Sequence, residues 1–254
     1  MGRAFEFRKS RKLKRWSTMS KSFTKLSKEI QISVKENGPS PESNSKLRAL
    51  IQNAKSINMP KDNIERAINK SINKTKDNLK KIFLEGYAPF GIAILVEAIT
   101  DNNNRTVANI RSYFKKENGE LGKSGSVDYL FNKIAYFEIS NNTVDLEKIE
   151  LELIDFGLLE IISKKKYSTI IGSYENFNSL QLELEKREVE IVNSGFDKIP
   201  NNLISIDEEK KNLIIKLINI IENDEDVQNV YHNLNILKKI DNLQQVIYVI
   251  SKNL

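Results

Sequence analysis

The chain has 254 residues, 39% of them hydrophobic and 29% charged, enough to bury a core in one large domain or in two to three small ones. With no cysteine and a single histidine it has almost no room for disulfides, a Cys/His zinc site, thiol catalysis or a Ser-His-Asp triad, so a protein without catalytic activity or cofactor is expected. The net charge of +6 conceals a division: residues 1–82 hold 21 Lys and Arg against 7 Asp and Glu, the remainder 19 against 27, which directs the basic third toward a polyanion.

The chain opens MGRAFEFRKSRKLKRW, in which Arg3, Arg8, Lys9, Arg11, Lys12, Lys14 and Arg15 oppose the single acid Glu6. This segment lacks the apolar stretch of a secretory signal, and Glu6 stands where a myristoylation signal needs Ser or Thr. No run approaches the roughly 18 apolar residues of a membrane span, so a cytoplasmic protein with no membrane partner is expected. Trp16, the only tryptophan, either stacks on a base or anchors the basic leader onto a helical bundle.

Phe23, Leu26, Ile30 and Val34 recur at helical spacing and Asn37-Gly38-Pro39 supplies a stop, which predicts a first helix over about 20–36 with Lys21, Lys25 and Lys28 on its other face. Ser40-Pro41 reads as the N-cap and first residue of a second helix that buries Leu47, Leu50, Ile51 and Ala54. Pro60 opens a third, with Ile64, Ala67, Ile68 and Ile72 inward, and Lys74 to Lys80 form a polar linker.

From Lys81 the period changes. KIFLEGY and IAILVEAIT are β-type runs joined by a turn at Ala88-Pro89-Phe90-Gly91. Asn102 to Asn104 cap a helix with Val107, Ile110 and Phe114 inward, ending at Asn118-Gly119, after which SVDYLF reads as a strand. IAYFEI opens a second unit of strand, helix capped by Asp145 and stopped by Gly157, strands LLEIIS and STIIGSY, a helix over roughly 177–187, and strand-like VEIVNSGF and LISI. That order belongs to a ferredoxin-like unit. Asp207-Glu208-Glu209 lead into the apolar helix NLIIKLINII and the strand VQNVYHN, which are expected to return to the earlier sheet. Leu234, Leu237, Ile240, Leu243, Ile247 and Ile250 then mark an amphipathic helix, expected to pack on its own domain in a monomer.

The expected architecture is therefore α+β: an N-terminal all-α bundle (1–80), an α+β domain from 81–132 and 204–254, and a ferredoxin-like α+β domain (133–203) inserted into it. Gly122-Lys123-Ser124 is no P-loop, because Glu117 occupies the position of the required first glycine. The loop is better read as a turn holding helix against strand. His232 is expected to be structural, and Asp224-Glu225-Asp226 a solvated helix end rather than a cation site.

Three blocks carry a resemblance: GPSPESNSKLRALIQNAKSINMPKDNIERAI, then EGYAPFGIAILVEAITDNNNRTVANIRSYFKKENGELGKSGSV, then DVQNVYHN. Together they resemble the YebC/PmpR family, whose mitochondrial relatives include a translational activator of cytochrome c oxidase, over essentially residues 1–232. The resemblance implies three domains arranged as above and a cytoplasmic, non-enzymatic, DNA-binding transcription regulator, with other members acting on translation at the ribosome. Two departures stand out: the opening lacks the Gly-His-Ser-Lys-Trp segment of many members, and the apolar tail after Asn233 runs past the usual ending. Because the resemblance reaches Met1, no cleaved transit peptide is expected.

A polyanion would be held mainly through phosphates, giving salt-dependent and weakly sequence-dependent affinity. The residues expected to hold it are Arg3, Arg8, Lys9, Arg11, Lys12, Lys14, Arg15, Trp16, Lys21 and Lys25. Arg105 could join them at a helix start, where free backbone N–H groups favour an anion. No helix-turn-helix, zinc finger or basic zipper is evident, so DNA and ribosomal RNA both remain open as the polymer. Neither a metal nor a small-molecule substrate is expected. A scaffold working through the acidic two thirds is the third reading.

Overall fold

The structure, a computed structural model, describes residues 3–72, 79–141, 146–163 and 166–235, with side chains from Met19 onward, Glu147 excepted. The Asp145 cap, most of the Lys74–Lys80 linker and the apolar tail from 236 onward lie outside the described residues. The chain forms two compact units, residues 1–79 and 80–254.

The first unit is helical: α1 (Arg3–Asn37), α2 (Ser45–Ser56) and α3 (Lys61–Ile72). The basic leader is not a separate element, contrary to a helix beginning near residue 20. No Gly or Pro interrupts Arg3–Asn37, and Arg, Lys, Leu and Ala are strong helix formers, so nothing stops the helix before Gly38, whose φ is +87°. Ile30, Val34, Leu47, Leu50, Ala54, Ile64 and Ala67 form the core, with Phe23, Leu26, Ile51 and Ile68 packed at its margin. Ile72, expected inward, is 49% exposed at the end of α3.

The α2 cap also differs from expectation. Ser40 and Pro41 sit in a turn, and the cap is Asn44, 2% exposed. Its Oδ1 accepts from Leu47 N (3.0 Å), while its Nδ2 donates to Ser33 O and Gly38 O (both 2.9 Å), so one side chain ends α1 and starts α2.

The second unit contains two antiparallel sheets. β1 (Lys80–Tyr87) and β2 (Ala93–Thr100) form the expected hairpin, joined by a 3-10 turn at Pro89–Gly91. After α4 (Asn103–Lys116) a two-residue strand, β3 (Glu120–Leu121), pairs with the outer edge of β1. The chain then builds β4 (Phe131–Ser140), α5 (Leu146–Leu153), β5 (Leu158–Ser163), β6 (Tyr167–Ser173), α6 (Phe177–Lys186) and β7 (Ile191–Pro200). It returns through α7 (Glu208–Glu222) to β8 (Val227–His232), which pairs with β2. The sheet orders are β3-β1-β2-β8 and β5-β6-β4-β7.

Two expected strands are absent. SVDYLF curls into a 3-10 turn at Asp128–Leu130, and only Phe131 joins β4, because the N–H groups of Val127 and Asp128 are taken by the Glu85 carboxylate rather than by a ladder. LISI contributes a single bridge, Ile204 to Leu234.

β2 is buried at every position. One side, with Ile92, Ile94 and Val96, meets Ile110 and Phe114 of α4 and Ile214, Leu217, Ile218 and Ile221 of α7. On the other, Ala93 and Leu95 meet Val127 and Phe131 at the root of the second sheet. Gly86 of β1 permits the close fit of α4: a Cβ there would lie 2.8 Å from the Phe114 ring and 2.6 Å from Glu120 O.

Candidate nucleic-acid interface

The basic segment lies on α1. At 1.5 Å per residue this 35-residue helix is about 52 Å long, so Arg3, Arg8, Lys9, Arg11, Lys12, Lys14, Arg15 and Trp16 occupy its first four turns. Their side chains lie outside the described residues. Position 16 precedes Phe23, at the edge of the bundle core, by two helical turns. Lys21 is exposed and Lys25 half-buried, one turn apart. One continuous backbone thus links the basic run to the packed bundle.

Arg105 stands in the other unit, at the start of α4. Asn102 caps this helix through Oδ1, which accepts from Arg105 N at 3.1 Å. The Arg105 guanidinium donates through Nη2 to Asp101 Oδ1 and Asp226 Oδ2, both at 2.9 Å. The hydrogen bond to Asp226 is the main cause of a raised guanidinium pKa.

Asp226 itself is 7% exposed. Its Oδ2 also accepts from Thr106 Oγ1 (2.9 Å) and Thr100 Oγ1 (3.2 Å), and its backbone carbonyl accepts from Ile99 N at 2.8 Å. Neighbouring Asp224 takes the Tyr113 hydroxyl at 3.0 Å. Glu225 is exposed as expected, but Asp226 and half-buried Asp224 form a clasp instead of a solvated helix end, and the reason is partners: Thr100, Arg105, Thr106 and Tyr113 come from more than 100 residues earlier. It ties the TDNNNRT block to the DEDVQNVYH block, joining β2 and α4 to the start of β8.

Two more acids are buried in this unit. Glu85, 5% exposed, accepts from the N–H groups of Gly125 (2.7 Å), Val127 (2.6 Å) and Asp128 (2.9 Å). Burial works to raise its carboxyl pKa, but the three backbone donors outweigh it and hold the group below the usual glutamate value. The GKSGS loop is thus fixed by a carboxylate rather than built to receive a phosphate. Glu97 likewise faces Lys81, Asn229 Nδ2 (3.0 Å) and Tyr231 OH (2.8 Å), which offset its burial and keep it ionised. His232, on β8, is partly buried and its imidazole is pushed down by desolvation.

Among the described residues no helix is long and apolar enough to cross a membrane, and no group of three or more His, Asp or Glu residues is placed to hold a metal ion. Sequence reasoning missed Glu85 and Glu97 and took Asp226 for a solvated acid, since their partners lie about 16 to 134 residues away.

Known proteins match both units. A family model described as the TACO1/YebC protein N-terminal domain matches residues 3–74, and one described as the TACO1/YebC second and third domain matches 79–234. A Flavobacterium psychrophilum relative named "Probable transcriptional regulatory protein" is 54% identical over 234 residues, 92% of this chain and 99% of its own. A Parabacteroides distasonis protein of the same name is 50% identical over 235 residues, 92% and 97% of the two chains. The crystal structure of a conserved hypothetical protein from Aquifex aeolicus is similar with a TM-score of 0.77 at 37% identity, covering 87% of this chain and 92% of that one.

Proposed function

The chain belongs to the TACO1/YebC family, and on that premise we propose that it is a non-enzymatic, nucleic-acid-binding regulator of gene expression. The relatives' name, transcriptional regulatory protein, supports a regulatory role. The observation that carries nucleic-acid binding is the basic run Arg3–Arg15 on an unbroken helix rooted in a bundle. Such a helix presents cations in a fixed array, so less ordering entropy is lost on meeting a phosphate backbone than with a loose tail.

In this reading Arg3, Arg8, Lys9, Arg11, Lys12, Lys14, Arg15, Lys21 and Lys25 contact phosphates, and Trp16 stacks on a base or seats the helix. Arg105 adds a contact through Nη1 and Nε, since Nη2 serves the two aspartates. DNA as the polymer, a monomeric state and a cytoplasmic site of action belong to the same proposal. So does the partition into 1–80, 81–132 with 204–254, and 133–203: limited proteolysis near 133 and 203 should leave the flanking fragments associated.

Crosslinking in cells followed by sequencing of the bound nucleic acid, beside a sucrose-gradient profile, tests the function. Promoter DNA without ribosome comigration is the expected result. Ribosomal RNA with comigration would replace transcription by translation, and recovery of neither polymer above an uncrosslinked control would overturn nucleic-acid binding altogether.

A further inference from the structure

The cations of α6, its C-cap and α7 in the second unit are paired with carboxylates. On α6, Lys186 reaches Glu183 (3.8 Å) and Arg187 reaches Glu152 (2.9 Å). On α7, Lys210 meets Asp207 (2.9 Å), Lys211 meets Glu208 (3.1 Å) and Lys216 meets Glu117 (2.8 Å). That is how a solvated helix in an acid-rich unit handles its cations.

α4 departs from this rule. NNRTVANIRSYFKK contains four cationic residues and no acid. Arg105 is paired through Nη2 with Asp101 and Asp226. Arg111, Lys115 and Lys116 are exposed, and among the described residues no carboxylate lies within ion-pair distance of them. A cation in the last turn is favoured by the helix dipole, which accounts for Lys115 and Lys116 but not for Arg111, more than a turn earlier, where that effect has faded.

The rest of the helix suits a close-approaching polymer. Thr106, Ile110 and Phe114 are buried, and Ile110 and Phe114 lock the helix against the sheet. The outward stripe Asn104, Ala108, Arg111, Ser112 and Lys115 is exposed at every position, at i, i+4, i+7, i+8 and i+11. Arg111 and Lys115 are therefore neighbours, about 5–6 Å apart at Cβ. Ala108 and Ser112 beside them leave room for a sugar-phosphate chain to lie along the helix.

We propose that the exposed face of α4, through Arg111, Lys115 and Lys116, is a second phosphate-backbone contact surface for nucleic acid, on a unit whose overall charge would repel it. This rests on the reading of the chain as a nucleic-acid binder. The excess of acids elsewhere in the unit confines the attraction to this face, so that the polymer is oriented as well as held.

The test uses the full chain with a fluorescein-labelled DNA duplex and an RNA hairpin over a salt series. Replacing Arg111→Gln, Lys115→Gln and Lys116→Gln together should weaken binding about 30- to 100-fold at physiological salt and reduce the slope of log K against log salt by about 2 to 3 on the duplex. The charge-keeping set Arg111→Lys, Lys115→Arg, Lys116→Arg should restore both, and Lys210→Gln with Lys211→Gln on α7 should change neither. Unchanged affinity and slope in the α4 variant would overturn the inference, as would an equal loss in the α7 variant. If the triple variant unfolds, Arg111→Gln alone must lower the slope by about 1. Failure of the parent to bind either probe would sink the functional reading instead, and is distinguishable because no α4 comparison then arises.

Discussion

Residues 1–79, the first unit, carry 19 cations against 7 carboxylates, a surplus of 12. Beyond them 27 carboxylates face 21 cations, and three of the acids, Glu85, Glu97 and Asp226, are buried and bonded to donors distant in sequence. The same kinds of charged group thus do different work in the two units. In the first, cations outnumber carboxylates, and in the proposed function that surplus meets a polyanion. In the second, carboxylates act as internal fasteners, and α4 is the local exception. Removing charge should therefore cost binding in one unit and folding stability in the other.

The largest expected effect is on binding. Replacing Arg8, Lys9, Arg11, Lys12, Lys14 and Arg15 by Ala should lower affinity for a DNA duplex or RNA hairpin about 1,000-fold at physiological salt and flatten the salt dependence. Alanine is at least as good a helix former, so the melting temperature should move by no more than about 2 °C. Equal affinity of variant and parent, measured by fluorescence anisotropy, would break the comparison on the side of the first unit.

Next in size is a loss of stability with binding intact. Asp226→Asn removes the negative charge that Arg105 and two threonine hydroxyls share, and leaves a donor among donors. Truncating one member of a buried, hydrogen-bonded charge cluster costs about 3 kcal/mol, read as a shift of the urea midpoint. Since the cluster joins β2 and α4 to the start of β8, proteolysis should also begin to release the segment after 203. Unchanged stability would show that the carboxylate is not a fastener.

The third effect depends on pH. Glu85 has a folded-state pKa below its ordinary value, so its stabilisation is present above the unfolded value, near about 4.3, and fades as pH falls through the folded one. Urea midpoints taken downward from about pH 5 should fall for the parent. Glu85→Gln should start about 2 kcal/mol lower at neutral pH and fall less steeply, because a carboxamide does not titrate and presents only one good acceptor to three N–H donors. Parallel curves would remove Glu85 from the acid response.

How much the sequence disclosed depends on the range over which each signal acts. The α1, α2 and α3 cores were legible because Phe23, Leu26, Ile30 and Val34 repeat at helical spacing, and the β1–β2 hairpin because its runs flank a Pro-Gly turn. The family was legible because three long blocks carry it. β3 was not, since two residues have no periodicity, and neither was the turn at Asp128–Leu130, which is made by a carboxylate about 40 residues earlier. Arg105 was singled out from its position at a helix start, but only three-dimensional packing reveals that Asp226 already holds it while Arg111, almost two turns on, has no carboxylate partner among the described residues. The basic run is legible as charge; its helical continuity with the bundle required the fold.

The smallest effect lies in the first unit and tests whether it, too, has an internal polar fastener. Asn44 is its buried cap, serving Leu47 N, Ser33 O and Gly38 O with one side chain. Asn44→Ala should cost about 1–2 kcal/mol: the cap hydrogen bond is lost, and two carbonyls at the end of α1 lose a donor. Asn44→Asp keeps the cap acceptor and gains the helix dipole, yet turns a carboxylate toward those carbonyls, so it should recover only part of the loss. Because neither change touches the surplus cations, nucleic-acid affinity measured below the melting transition should equal the parent's. A loss of affinity as large as that of the basic-run variant would mean that the angle between α1 and α2, not charge alone, governs binding. The contrast between a binding unit and a fastened one would then give way to a single coupled system.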